Sequence, residues 1–454
     1  MAEHVDVVVI GMGVGGEEAA GSLAEAGLSV VGVEANLLGG ECPYWACIPS
    51  KMMLRAAELL AEGRRIPGMA GDSAVTPEWK PVARRIRDEA TDNWNDRAAV
   101  DRFEGQGGRF VRGRARITAP GEVTVGELVF EAGRGVIIAN GTTPAVPPLR
   151  GLADTPYWTN HEAIETEAVP ASLIVLGAGA VGVELAQVFA RFGAEVTLVE
   201  MADHVLPGEE PEASEVLARA LAGDGIAVRA GAQATNVAYD GSFTVTLDDG
   251  AQVSGERLLV ATGRHAHLAA LGVGAVGLDE EAGAVPVDAR LRAAPGVWAI
   301  GDVTGKGAFT HVAVYQARIA ARDVLGQAGP EADYRAVPRV TFTDPEVGGV
   351  GLTEQQARDQ GLRVRTGTSQ VGSSARGWIH KAGGDGVIKL VEDADRGVLV
   401  GATSAGPMGG EVLSMLILAV HERVPTEHLR GMIYAFPAFH RAVEDALGNL
   451  RTPP

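Results

Sequence analysis

The sequence predicts an α/β fold: two similar parallel-sheet units followed by a separate α+β domain. Three observations carry this. A strand, a glycine turn, a helix and an acid-ended strand follow one another near the start; the same grammar returns from Leu173; and the apolar pattern changes after Pro338. The 454 residues leave room for about three domains at ~150 residues each, and a hydrophobic content of 46% supplies several cores.

Taken in order, Val5-Asp6-Val7-Val8-Val9-Ile10 is a β-branched run, Gly11-Met12-Gly13-Val14-Gly15-Gly16 a tight turn, Glu17 to Ala26 a helix, and Val30-Val31-Gly32-Val33-Glu34 a second strand. This is the dinucleotide fingerprint. Gly11, Gly13 and Gly16 let the backbone approach a pyrophosphate, the helix start offers unpaired N–H groups, and an acid about 20 residues on accepts from a ribose diol. Leu173 to Leu176, then Gly177, Gly179 and Gly182, a helix from Val183 to Phe192 and a strand ending at Glu200 repeat it. Either turn alone is explained equally by a helix packed on a strand. Both acids, Glu34 and Glu200, falling at the fingerprint position favour two nucleotide sites.

Further buried strands are expected at Gly135 to Gly141, Arg257 to Arg264 and Val297 to Asp302, each breaking at a glycine or carboxylate. Proline-rich stretches at 144–148 and 286–295 suit connections. Past Pro338, strands are read at Val340 to Phe342, Gly386 to Val391 and Gly397 to Ala402, with an apolar helix from Glu411 to His421. The expected division is therefore 1–147 and 266–336 for the first nucleotide-binding domain, 148–265 for the second and 337–454 for the last.

With 39 basic and 58 acidic residues the formal charge is −19, which disfavours nucleic acid and anionic membrane as partners and favours small-molecule chemistry. Met1 to His4 carries no basic flank, and the apolar run Val5 to Ile10 is too short for a signal peptide or a membrane span. A cytoplasmic location is expected. The 61 glycines cluster at strand ends and turns, as positional rather than low-complexity residues do.

The two cysteines sit five positions apart, in Gly39-Gly40-Glu41-Cys42-Pro43-Tyr44-Trp45-Ala46-Cys47-Ile48-Pro49-Ser50-Lys51. An ideal helix would hold such a pair roughly 8.6 Å apart between α-carbons, beyond the ~7 Å a disulfide tolerates. A bridge requires bent backbone, which Gly39, Gly40, Pro43 and Pro49 favour. A disulfide held in that way is easily reduced. Two thiols buried as small hydrophobes are the alternative; that reading leaves the glycines and Lys51 unexplained. Tyr44 and Trp45 beside Cys42 suggest a stacking surface for a flat acceptor.

The ordered set of motifs resembles the flavoprotein disulfide reductases, the family of lipoamide dehydrogenase, glutathione reductase and mercuric reductase. It comprises the first fingerprint, the two-cysteine segment ending Pro49-Ser50-Lys51, and the second fingerprint extended to Gly182-Val183-Glu184. Ala261-Thr262-Gly263-Arg264, Gly301-Asp302, Thr343-Asp344-Pro345-Glu346-Val347 and Gly351-Leu352-Thr353-Glu354 complete it. The resemblance implies FAD on the first fingerprint, with Glu34 on its adenosine ribose, Asp302 near its ribityl chain and pyrophosphate, and Thr310-His311 near the flavin. It implies a nicotinamide cofactor on the second fingerprint, with Gly263 among the cofactor-binding residues. Cys47 would be the thiolate against the flavin, Cys42 the interchange thiol, and Lys51, paired with Glu184, the cation beside the flavin. The last domain would form a homodimer.

The C-terminal segment departs from that pattern. Disulfide-reducing members carry a His-Pro pair and, four positions after the proline, a glutamate, a dyad that serves as base for the neighbouring subunit. Here Tyr434-Ala435-Phe436-Pro437-Ala438-Phe439-His440-Arg441 puts Phe436 at the base position and Arg441 in place of the glutamate. Neither takes a proton at neutral pH, and general acid–base help is typically worth about 10²–10⁴-fold. If the stretch is helical, His440 lies one turn beyond Phe436 as a displaced base with Glu444 to orient it; the alternative is that His440 pairs with acidic neighbours or packs at a dimer interface. A C-terminal cysteine pair is missing, which weakens mercuric-ion reduction, although Cys42 and Cys47 suit a soft metal; no resident metal site is assigned.

The sequence thus points to a homodimeric FAD enzyme that takes hydride from NADH and passes electrons through the Cys42–Cys47 disulfide to an acceptor such as a quinone or an unusual disulfide. Glu200 would repel a 2′-phosphate, so NAD is favoured over NADP. The rival readings are a dihydrolipoamide dehydrogenase, a metal reductase like mercuric reductase, and a non-catalytic FAD-binding redox sensor.

Overall fold

The structure is a computed structural model and describes residues 2–451. Contacts group the chain into two units, one of residues up to Pro49 with Arg84–Ala145 and Arg264–Asp333, the other of Ser50–Ala83, Val146–Gly263 and Tyr334 onward.

The first unit is built on a sheet in the order Arg292–Ala294, Val297–Ala299, Leu128–Ile138, Glu3–Ile10, Val30–Glu34, Arg109–Arg112. Its inner strands run parallel, with Val7 opposite Val30 and Ile10 opposite Ile138. Val7 to Ile10 are all buried because helices cover one face and a hairpin the other, which is why this strand reads as a continuous apolar run. The Val14–Glu25 and Thr310–Val324 helices share the first core. They approach so closely that a Cβ on Gly15 would lie 3.1 Å from that of Ala313.

The second unit holds a parallel sheet in the order Ala227–Arg229, Glu195–Val199, Ser172–Leu176, Arg257–Val260, and an antiparallel meander of Ala234–Tyr239, Phe243–Leu247 and Gln252–Gly255. It also holds a five-stranded antiparallel sheet, Pro338–Thr341, Glu346–Gly351, Val398–Gly406, Val387–Asp393, Val364–Gln370. The Gly409–His421 and Ala442–Gly448 helices pack Leu413, Leu416, Val443 and Leu447 onto that sheet.

The α/β class with two nucleotide-type sheets and a C-terminal α+β region is what the sequence led one to expect. The two helices after the glycine turns begin earlier than read, at Val14 and Ala180, because the turn glycines themselves enter the first helical turn. Among the described residues no helix is long and apolar enough to cross a membrane.

Candidate active site

In the first glycine turn, Gly11 has φ 92°, and a Cβ on Gly16 would overlap the Gly11 carbonyl. Only glycine lets the strand end and helix start close up in this way. Gly13 caps the Val14–Glu25 helix without a side-chain acceptor, which leaves its first N–H groups directed at an incoming anion. The Glu34 carboxylate accepts the backbone N–H of Met12 at 2.8 Å and of Asn36 at 2.7 Å, so it buttresses the turn. A carboxylate has about four lone-pair sites, and the remainder are available to a diol.

Asp302 accepts the Thr142 hydroxyl at 2.9 Å. Arg264 in turn donates to that hydroxyl at 2.9 Å and to the Thr142 carbonyl at 2.7 Å, and lies 3.5 Å from Glu41 beside Cys42. Asn140, next to the Gly11 turn, has a buried Oδ1 with no hydrogen-bond partner among the described residues. A cradle too tight for any Cβ, an open helix start and an unsatisfied buried acceptor fit the flavin nucleotide implied by the resemblance.

Between the cysteines the backbone bends as the spacing demanded. Glu41–Tyr44 makes one helical turn, Trp45 leaves it at φ −137°, and a new helix runs over Cys47–Arg65. Gly39 and Gly40 press this segment onto the nucleotide turn: Gly39 donates to the Met12 carbonyl at 2.7 Å, and a Cβ on Gly40 would lie 2.8 Å from the Gly13 Cα. Cys42 and Cys47 are both half-buried. Cys47 Sγ lies 3.4 Å from Thr310 Oγ1, and each of these residues opens a long helix. Two helix starts and a hydroxyl at one sulfur favour its thiolate.

One expectation is corrected. Tyr44 is no stacking surface: it is buried, lying under Gly39, and burial, reinforced by the Asp96 charge, pushes its phenol up from the usual range. Only Trp45 keeps partial exposure beside Cys42.

Lys51 and Glu184 do meet, Nζ to Oε2 at 2.8 Å, with the Ser50 hydroxyl 3.3 Å from the ammonium. Glu184 belongs to a polar stripe on the otherwise apolar Ala180–Arg191 helix, where Glu184, Gln187 and Arg191 are all nearly inaccessible. Gln187 pairs reciprocally with the Asp344 backbone at 2.7 and 2.9 Å, and Arg191 reaches its carboxylate at 2.8 Å. Sequence reasoning passed over Gln187 and Arg191. Their i, i+3, i+7 spacing from Glu184 was the signal.

The second turn repeats the first. Gly177 has φ 99°, a Cβ on Gly182 would overlap the Gly177 carbonyl, and Gly179 caps the helix with open space where its Cβ would stand. Glu200 accepts from Ala178 at 2.6 Å and Ala202 at 2.8 Å, as Glu34 does in its own turn. Gly263, at φ 129°, also faces open space.

The C-terminal reading is corrected in one respect. His440 sits in a 3₁₀ turn, Phe439–Arg441, and no helix covers 432–438, so His440 does not stand one helical turn above Phe436. The residues at the two altered positions pack on each other, Arg441 5.6 Å from the Phe436 ring. Glu444 pairs with Arg441 at 3.1 Å, so it is engaged elsewhere than as an orienter of His440. Phe436 is 70% exposed and Ile433 99%.

The model for pyridine nucleotide-disulphide oxidoreductases matches residues 5–317, and that for the dimerisation domain of the same family matches 337–447. A dihydrolipoyl dehydrogenase of Chlorobaculum tepidum is 34% identical over 98% of this chain and 97% of its own. A mercuric reductase of Acidithiobacillus ferrooxidans is 33% identical over 96% of this chain and 80% of its own. Among solved structures, the Cu(II) complex of the HOCl-induced flavoprotein disulfide reductase RclA from Escherichia coli superposes with TM-score 0.83 at 26% identity, covering 98% of this chain and 99% of that one. LpdA of Mycobacterium tuberculosis gives 0.85 at 26%, with the same coverage. With both family models matched in order and relatives aligned over almost the whole length, the chain belongs to the FAD-dependent pyridine nucleotide-disulfide oxidoreductases.

Proposed function

We propose that this enzyme carries electrons from NADH through FAD to the Cys42–Cys47 pair and on to a quinone or an unusual disulfide, as a cytoplasmic homodimer. The proposed division of labour is 1–147 with 266–336 for FAD, 148–265 for NADH and 337–454 for dimerisation. The observation that carries the redox reading is the Cys47 sulfur at the start of its own helix and 3.4 Å from the Thr310 hydroxyl that opens another.

FAD, when bound, would take an electron pair from the nicotinamide and deliver it to the disulfide. The chain's part is to hold and poise. Gly11, Gly13, Gly16 and Glu34 would bind the adenosine half of FAD, while Asp302, fixed by Thr142 and Arg264, and Thr310 would hold the rest. Gly177, Gly179, Gly182, Glu200 and Gly263 would bind NADH, and the Glu200 carboxylate would reject a 2′-phosphate. Two electrons and a proton break the S–S bond, leaving Cys47 as thiolate and Cys42 as thiol. With a disulfide acceptor, Cys42 displaces one thiol to form a mixed disulfide, and Cys47 displaces the second as the Cys42–Cys47 bond re-forms. A quinone instead takes the two electrons with the Cys42 proton and one from solvent, and leaves as hydroquinone. Lys51, steadied by Glu184, supplies a cation one turn along the helix that Cys47 begins.

Phe436 and Arg441 at the family's base positions support an acceptor that needs no proton from that dyad. His440 is proposed as a base of lesser effect; His440→Ala with disulfide and quinone turnover both unchanged removes it from the account. Metal-ion reduction is the second reading, supported by two cysteines five positions apart, whose sulfurs are soft ligands, and by a relative named mercuric reductase and a similar structure solved as a Cu(II) complex. The test is anaerobic reduction with NADH or NADPH followed by quinones, lipoamide, glutathione disulfide, Hg(II) and Cu(II). Preference for NADH, and for quinone or a disulfide other than lipoamide, is expected. Lipoamide as the best acceptor would return the chain to the dihydrolipoamide dehydrogenase reading.

A further inference from the structure

Phe342 touches both members of the Lys51–Glu184 pair. Its backbone N–H donates to Glu184 Oε1 at 2.8 Å, while its ring centroid lies 4.8 Å from Lys51 Nζ. Because Glu184 Oε2 faces the ammonium at 2.8 Å, both carboxylate oxygens are committed and the plane of the carboxylate is fixed.

The segment that carries Phe342 is itself pinned. Beyond the Gln187 and Arg191 contacts, Arg65 donates to Asp344 Oδ2 at 2.6 Å. Lys51 and Arg65 lie about four turns apart on one helix and so on one side of it, and Glu184, Gln187 and Arg191 share a face of another. Residues 342–344 therefore run as a splint across both helices.

We propose that Phe342 is the positioning residue of the Lys51–Glu184 pair, its amide setting the carboxylate and its aromatic face setting the ammonium. The inference rests on the proposed role of Lys51 as the cation serving the flavin. Burial alone would not require an aromatic here, because Phe342 is 40% exposed; an ammonium to be held in one place does. A partly exposed ammonium–ring contact is worth about a three- to fivefold bias in an equilibrium.

The test uses FAD-loaded Phe342→Leu, Phe342→Tyr and Lys51→Met proteins. Two readouts are independent of turnover: the equilibrium constant for flavin reduction against a reference dye, and the pH at which the long-wavelength thiolate absorbance appears. Lys51→Met should move both readouts, by about tenfold or more in the equilibrium constant. Phe342→Leu should move them the same way by about three- to fivefold, and Phe342→Tyr should match the parent. Should the leucine variant lose flavin, Phe342→Met, which also keeps the amide, carries the comparison. A shift in Lys51→Met with none in Phe342→Leu overturns the positioning role alone; no shift in Lys51→Met overturns the reading of Lys51 and the inference with it.

Discussion

Replacing Lys389 by methionine should cost about 3–5 kcal/mol of stability. Its ammonium is buried and lies 2.9 Å from Glu210, 2.8 Å from Glu212 and 2.9 Å from Glu354. Burial opposes the charge, yet the hydrogen bonds it donates to Glu212, Glu210 and Glu354 outweigh that and hold the ammonium above its usual range. The critical partner is Glu210, whose side chain is only 4% exposed, against 40% for Glu212 and 24% for Glu354. Without the cation, Glu210 keeps the Glu354 N–H at 2.6 Å and, among the described residues, no countercharge. The two more exposed pairs contribute about 0–1 kcal/mol each, so the loss comes from Glu210. Urea unfolding of the FAD-loaded protein measures it, and Lys389→Met/Glu210→Gln should recover most of the deficit by removing both buried charges. A raised folded-state value means the stabilisation is complete below the ordinary ammonium pKa and is lost only as pH climbs through the folded one; the deficit should stay level between about pH 6 and about pH 9. A single variant within about 1 kcal/mol of the parent, or a double variant no better than the single, refutes the argument.

Gly16→Val should yield colourless protein, since its side chain would strike the Gly11 carbonyl, whereas Gly182→Val should retain its yellow colour and lose NADH binding; flavin content and nucleotide titration separate the two. Thr142→Val strips Asp302 of a 2.9 Å donor and should weaken FAD binding by about tenfold or more, the worth of a bond to a charged group, read by flavin release. Burial pushes the Glu346 carboxyl up, against the Gly410 N–H that would lower it. Its share of stability is therefore present at acid pH and lost as pH rises through the folded value, so Glu346→Gln should stabilise the protein at neutral pH and give no gain near pH 4, as urea midpoints at the two pH values would show.

The nucleotide turns were legible because sterics leave little choice: glycines at 11, 13 and 16 and again at 177, 179 and 182, each set with an acid at its spacing, admit few other structures. The bend between Cys42 and Cys47 was legible for the same reason, since five residues of regular helix cannot bring two sulfurs together. Tertiary partners were not. Tyr44 faces inward because Gly39 makes room for it, and Thr142 matters because Arg264, distant in sequence, reaches it. The Gln187–Arg191 stripe pairs with Asp344 more than 150 positions away, a partner no local pattern names. At the C-terminus, helical spacing was assumed for Phe436 to His440, and the chain instead turns there before the Phe439–Arg441 segment.

The central claim is that Cys42 and Cys47 form a second two-electron centre coupled to bound FAD. Anaerobic reductive titration of the FAD-loaded protein counts electrons directly, two for the flavin and two for a disulfide. About four electrons per flavin in the parent and about two in Cys42→Ser are predicted. Two in both would contradict the account.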